Sequence, residues 1–520
     1  MADIVLINPR FEISFYGFEH ALALLGKRAA MPVAALPLLA ALTPPEHQVT
    51  LIDENVEPID FDRCALADIV GVTGMSVQRH RMHAIVTELK RRDVYVAVGG
   101  PWITVKEDYF GDLVDAIFVG EAEETWPRFL ADWQSGKPER RYEQADKTDL
   151  SRVPVPRLDL LKMNRYFLAS VQFSRGCPFL CEFCDIIVMF GRRPRLKTAR
   201  QVIAELEQLL AHKQFAVFIV DDNLIGNKKA IKEILAEVIA WQRKNGYPLV
   251  FTTEASIDLA DDDELMRLMV DANVSVVFVG IESPNEASLR ETRKLQNVRT
   301  GGSMVDKVRR IQDAGMEVHA GMILGFDNDD ESIFESHRRF LASARINIAG
   351  VGMLSAIPST PLYARLLQDK RVDPSDHPAY GTNVLPLRMT RETLSQGYVR
   401  LMATLYEAKA FFARLDDLYI DGKLEICRAW LRYAAEHPWL RRARHLRMWM
   451  EAFAILALVL LRIHERPLRT FYVRQFWRAL KTRRSAIITA IYAMKCAQHY
   501  HLHQLVRTLQ AHDRPLVNSY

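Results

Sequence analysis

Three of the chain's six cysteines crowd into eight residues, Ser174-Arg-Gly-Cys177-Pro-Phe-Leu-Cys181-Glu-Phe-Cys184, directly after a predicted strand. In a chain with no disulfide framework, such crowding points to a shared metal in a reducing compartment rather than to cross-links. Closely spaced thiolates are the ligands of iron–sulfur clusters. Three of them on a four-iron cubane leave one iron without a protein ligand, the open position that a substrate or cosubstrate needs. A zinc site is the alternative, and it needs a fourth ligand, usually from a second Cys or His pair. None follows at suitable spacing. His212 and His319 are isolated and read as surface or packed histidines. Cys64, Cys427 and Cys496 are scattered in contexts that read as helix or packed core, as buried thiols do.

With 520 residues the chain exceeds what one core serves, so two to four domains are expected. Its formal net charge of +4 gives no argument for nucleic acid as a partner. The N-terminus opens on a strand pattern, Asp3-Ile-Val-Leu-Ile-Asn8, without the basic and small-residue features of a signal peptide. The longest apolar run, 452–461, is short of the roughly 20 residues a spanning helix needs. A cytoplasmic protein is expected, with peripheral contact at the inner face of the membrane as a further option.

Residues 1–140 alternate strand and helix. Strands are predicted at 4–7, 48–52, 69–73, 94–98 and 116–119, with amphipathic stretches such as 83–92 between them. Short apolar strands alternating with helices predict a parallel, doubly wound, Rossmann-like α/β domain. Its ligands belong beyond the carboxyl ends of the strands. Those ends carry Asn8-Pro9, Asp53-Glu54, Thr73-Gly74-Met75-Ser76, Gly99-Gly100-Pro101 and Gly120-Glu121. Residues 141–165, polar and holding Pro154 and Pro156, read as a linker. A second alternation over 166–385 has strands at 170–174, 216–220, 249–253, 274–280, 317–324 and 348–354. It fits a partial (β/α)6 barrel, with Asp221-Asp222-Asn223, Glu254, Glu282-Ser283 and Gly325-Phe326-Asp327 just past strand ends. Residues 386–520 read as helical.

Cys-x-x-x-Cys-x-aromatic-Cys after the first strand of a partial barrel resembles the signature of the radical S-adenosylmethionine (SAM) superfamily, matched by Cys177, Cys181, Phe183 and Cys184. The resemblance implies a [4Fe-4S] cluster on the three cysteines. Its open iron would chelate SAM, and a one-electron reductant such as a flavodoxin or ferredoxin would trigger cleavage to a 5′-deoxyadenosyl radical. Phe183 would lie near the adenine. Val279-Gly-Ile-Glu-Ser283 and Gly321-Met-Ile-Leu-Gly-Phe326 resemble the segments that contact SAM. The resemblance also makes Glu254 and Glu282 candidates for its ribose or amino group, with ordinary barrel-rim carboxylates as the alternative.

The preceding domain resembles the cobalamin-binding domains of the superfamily, through Asn8-Pro9, residues 31–40 in an expected first helix, Thr73-Gly-Met75-Ser76, Gly99-Gly100-Pro101 and Gly120-Glu121. Glycines there would permit close backbone approach of a corrin. The Asp-x-His-x-x-Gly motif that ligates cobalt from below is missing; Asn8-Pro9-Arg10-Phe11 stands in its place. The whole is similar to cobalamin-dependent radical SAM C-methyltransferases of the hopanoid C-2 methylase type over roughly residues 1–410, with the last ~100 residues as an addition. This implies methyl transfer to an unactivated carbon of a lipid-like or polycyclic substrate such as a hopanoid. Another radical reaction (cyclisation, ring contraction, oxidation) and a non-catalytic cobalamin or redox sensor are the alternatives. Basic residues interleaved with Trp and Phe after residue 440 suit an anionic membrane surface, or simply form the basic face of a helical bundle.

Overall fold

Runs of Val, Ile and Leu without intervening charge are what strands covered on both faces require, and five of them build the first sheet. The computed structural model describes residues 1–298 and 302–511. The strands are β1 (Asp3–Asn8), β2 (Gln48–Asp53), β3 (Ile69–Thr73), β4 (Val96–Gly99), β5 (Ala116–Val119) and β6 (Arg141–Glu143). They form one parallel sheet in the order β2-β1-β3-β4-β5-β6. The order reverses at β1, so the crevice beyond the ends of β1 and β3 is the topological switch point where such sheets bind ligands.

Three sequence expectations need correction. β6 lies inside the stretch 141–165 that reads as a linker. Arg-Tyr-Glu is too short and too charged to announce a strand, but Tyr142 is fully buried, stacked on Phe118 at 5.3 Å. The rest of that stretch turns through three short 3-10 segments and anchors Met163 and Tyr166 in the core. The first helix, expected over 31–40, is preceded by the helix Glu19–Leu24 and itself spans Ala35–Leu42. Finally, two strands differ in extent: β4 starts at Val96 rather than Val94, and the strand expected over 170–174 is two pieces, Ala169–Val171 and Ser174–Arg175.

The contacts divide the chain into two units. One comprises Met1–Glu12, Met31–Ala230 and Ala356–Arg365; the other comprises Ile13–Ala30, Ile231–Ser355 and the described residues from Leu366 onward. The first unit holds the N-terminal sheet. It also holds β7 (Ala169–Val171), the short antiparallel ribbon of β8 (Ser174–Arg175) with β9 (Arg195–Leu196), and β10 (Ala216–Ile219), which pairs with β7 in parallel. The second unit holds β11 (Val250–Glu254), β12 (Val274–Glu282), β13 (Glu317–Leu324) and β14 (Ala349–Met353), each parallel to the next. The six strands expected over 166–385 are thus all present, two in the first unit and four in the second. Register aligns Glu254, Phe278 and His319 in one row across β11–β13, and Gly280, Gly321 and Gly350 in another across β12–β14.

From Arg391 the second unit is helical, ending in the helices Pro438–Arg462, Arg466–Arg483 and Ala486–Ala511. The expected helical region 386–520 therefore holds over its described part; residues 512–520 lie outside the described residues. Buried polar pairs tie these helices to the strand starts. Lys495 Nζ donates to Glu317 Oε1 at 2.5 Å, and Tyr406 Oη donates to the Ala349 carbonyl at 2.6 Å. The segment 13–30 packs into the same unit. Phe15 meets the Tyr406 ring, and His501 bonds the Ser14 carbonyl at 2.8 Å.

Candidate active site

The β8–β9 ribbon closes the base of the loop that carries the three cysteines. Gly176 starts that loop at φ +97, and a Cβ there would meet the carbonyl oxygens of Arg193 and Gly191 at 3.1 Å. Only glycine makes this turn. The Cys177 N–H donates to the Gly191 carbonyl at 3.3 Å, and the Cys184 N–H to the Cys181 carbonyl at 3.2 Å. The segment after β10 fastens the loop from behind. Asp221 accepts the N–H groups of Phe173 and Ser174, both at 2.7 Å, and the Ser174 hydroxyl at 2.6 Å; Asp222 accepts the Gly176 N–H at 2.7 Å. Asn223 points its Nδ2 at the Cys177 sulfur from 4.0 Å. Burial pushes Asp221 up to about 7 and Asp222 up to about 6, against these donors.

The donor set fits a cluster. Burial drives the Cys184 thiol well above its ordinary value, and Asp185, Cys181 and Cys177 add to that rise, so the three sulfurs share one electrostatic neighbourhood. Ionising Cys184 there is costly unless a metal supplies compensating positive charge. Phe183, half-buried, stands between the second and third cysteines.

Beside this loop lies a buried lattice of charge that the sequence did not reveal. Arg175 Nη1 donates to Glu121 at 2.6 Å and to Glu123 at 2.8 Å, and the guanidinium lies over the Phe190 ring. Arg195 donates to Glu121 at 2.9 Å and to the Thr148 carbonyl at 2.6 Å. The Thr148 N–H and hydroxyl complete the shells of Glu121 and Glu123. Burial raises Glu123, but Arg175 outweighs it and leaves the carboxyl below its ordinary range. Glu121, expected at a cofactor, is thus engaged by two guanidinium groups. An Arg next to Gly-Cys177 was the one signal available.

At the switch point, Asn8 is buried and donates to Asp53 at 3.0 Å, while Gln78 Nε2 donates back to Asn8 at 3.1 Å. Gln78 also accepts the Met75 N–H at 2.9 Å, and Tyr166 holds the second Asp53 oxygen at 2.8 Å. Gln78 thereby links Asn8 to Met75, which is exposed, and Thr73 and Ser76 lie beside Met75 in the chain. Gly100, at φ +93, passes so close that a Cβ would lie 2.3 Å from Thr73 Oγ1. Gly99 ends β4, and Gly120 follows β5 with its N–H on Thr104 Oγ1 at 3.0 Å. Gln78, Asp53 and Tyr166 are the supports that sequence reasoning left unassigned.

In the second unit Glu254 ends β11, half-exposed and in register with Phe278. Glu282 ends β12 in the left-handed region, at φ +63, and its carboxylate accepts Lys294 Nζ at 2.7 Å. Asn297 caps the neighbouring carbonyls of Gly280 and Ile281 at 3.0 and 2.9 Å.

Residues 171–341 match the radical SAM superfamily, and residues 360–514 match a domain of unknown function. An uncharacterised methyltransferase of Synechocystis is 37% identical over 469 residues, covering 87% of each chain. The chain belongs to the radical SAM methyltransferases. The hopanoid C-2 methylase of Rhodopseudomonas palustris is 34% identical to this methyltransferase, over 79% of its length and 78% of the relative's. The fold of this chain resembles that of the cobalamin-dependent radical SAM enzyme OxsB, with a TM-score of 0.60 at 14% identity, over 98% of this chain and 81% of the other. The second family match shows that the C-terminal helices are a recurring domain rather than an appendage of this chain.

Proposed function

We propose that this methyltransferase places a methyl group on an unactivated carbon of a polycyclic lipid of the hopanoid class, with Cys177, Cys181 and Cys184 holding a [4Fe-4S] cluster and the N-terminal sheet holding cobalamin. When bound, the cluster with SAM supplies a carbon-centred radical and cobalamin carries the methyl group. The protein's part is positional. Asp221, Asp222 and Asn223 fix the cysteine loop. Phe183 flanks the adenine, and Glu254 and Glu282 hold polar groups of SAM. Asn8, Thr73, Met75, Ser76, Gly99, Gly100, Gly120 and Glu121 would form or support the corrin cradle. Gly280 leaves room for the Glu282 and Lys294 side chains against the sheet, and Gly350 leaves room for Tyr16. A flavodoxin or ferredoxin supplies the electron, and the lipid is met at the inner face of the membrane.

The observation that carries this reading is the convergence of three thiols on one loop in a chain of this family. The test is anaerobic purification with iron and cobalamin, then incubation with SAM, reductant and a hopanoid-containing lipid extract. A product heavier by one CH2 is expected, and alanine at any of the three cysteines should abolish the charge-transfer absorbance and the product. Unchanged absorbance in those variants refutes the cluster assignment. A cluster that cleaves SAM without methylating any lipid refutes the substrate class.

A further inference from the structure

The helix Pro438–Arg462 buries one face, Ala452, Leu456 and Val459. A second face is apolar and uncovered. Trp439 is 83% exposed, Leu446 61%, Met450 58%, Phe453 43% and Leu461 75%. Successive members are seven, four, three and eight residues apart, so they form one stripe along the helix. Trp477 of the next helix, also exposed, extends the stripe sideways, its ring 6.4 Å from Phe453. Cations border it. Arg442 lies one turn before Leu446, and Arg474 and Lys481 lie one turn either side of Trp477. Each is exposed, and none has a carboxylate partner among the described residues. Residues 438–484 carry twelve Lys and Arg against two Glu, while the whole chain nets only +4, so the remainder is net acidic. No helix among the described residues is long and apolar enough to cross a membrane.

We propose that this stripe docks the protein in-plane on an anionic lipid leaflet, with Trp439, Leu446, Met450, Phe453 and Leu461 entering the headgroup–acyl boundary and the bordering cations meeting lipid phosphates. Pairing with a second copy through the same face would oppose cation to cation, so charge favours the lipid. The docking stands apart from the methyl-transfer reading, because it needs neither cofactor nor substrate. The test is flotation of the full chain with vesicles of phosphatidylcholine, with and without one-third phosphatidylglycerol. Binding should be confined to the anionic vesicles and fall with salt. Each cation near such a surface strengthens binding about five-fold (about 1 kcal/mol), so R474Q/K481Q should weaken it about 25-fold. M450E/L461E should abolish it without moving the urea midpoint. Absence of binding, equal binding to both vesicles, or binding unchanged in M450E/L461E overturns the proposal. So does a dimer that M450E/L461E splits in sedimentation velocity, which would assign the face to a second copy.

Discussion

Replacing Arg175 by methionine removes the cation at the centre of the charge lattice beside the cysteine loop. Its side chain is 9% exposed, against 1% for Glu121 and 8% for Glu123. Without it Glu121 keeps Arg195, whereas Glu123 keeps the Thr148 hydroxyl and its own backbone N–H but no cation. One buried carboxylate is stranded, and breaking a buried pair in this way costs about 3–5 kcal/mol. Protonation of Glu123 caps the loss, so about 3 kcal/mol is expected at pH 7. The companion E123Q removes the stranded charge, and R175M/E123Q should recover about 2 kcal/mol of coupling. The stranded Glu123 would titrate above its unfolded value, so the R175M penalty should be full at neutral pH and shrink as pH falls. The assay is urea unfolding of the anaerobic apo chain by circular dichroism, with bound iron after reconstitution as a second readout. Arg175 lies two residues before Cys177, so R175M should also bind less iron. Additive single and double variants, with coupling under about 0.5 kcal/mol and unchanged iron, would refute the lattice as a support of the loop.

Three further perturbations have definite signs. Burial raises Glu317, but Lys495 and then His319 more than reverse this and hold it well below the ordinary value of 4.5. K495M should therefore cost about 3–5 kcal/mol in urea at pH 5–8, a gap that closes in acid as the wild-type Glu317 protonates. Both ring nitrogens of His337 are buried without a partner among the described residues, and burial lowers its pKa to about 3. Below pH 6.5 the unfolded chain takes a proton that the folded one refuses, at about 1.4 kcal/mol per pH unit; H337L should flatten that acid limb and add about 1–3 kcal/mol at pH 7, and an unchanged acid midpoint would sink this reasoning. A Cβ at Gly350 would fall 2.1 Å from Tyr16 Oη and 2.6 Å from its Cζ. G350A should cost about 1–3 kcal/mol, measured by thermal unfolding, and the cost should vanish in a Tyr16→Ala background.

Much of this was legible because the informative residues are neighbours in sequence. The three cysteines announce themselves within one loop, and most strands of both sheets are largely apolar runs whose ends differ from expectation by a residue or two; the strand expected over 170–174 instead stops at Val171. What was hidden depends on distant partners. Glu123 meets Arg175 across 52 residues and Ser14 meets His501 across 487, and no local pattern encodes either pairing. β6 escaped because three residues, two of them charged, carry no periodicity; only the ring of Tyr142 reveals which side is buried. Segment 13–30 escaped because Phe and Tyr are at home in any core, and local composition does not say which one.

The chain passes from one unit to the other after residues 12, 30, 230, 355 and 365. No single cut therefore yields two self-sufficient pieces. Expression from residue 31 would strip the first sheet of β1 and the helical unit of Phe15 and Ser14 at one stroke, and a break near 230 would strand Ala356–Arg365 from the body it completes. Anyone splitting, permuting or fusing this enzyme has five passages to respect.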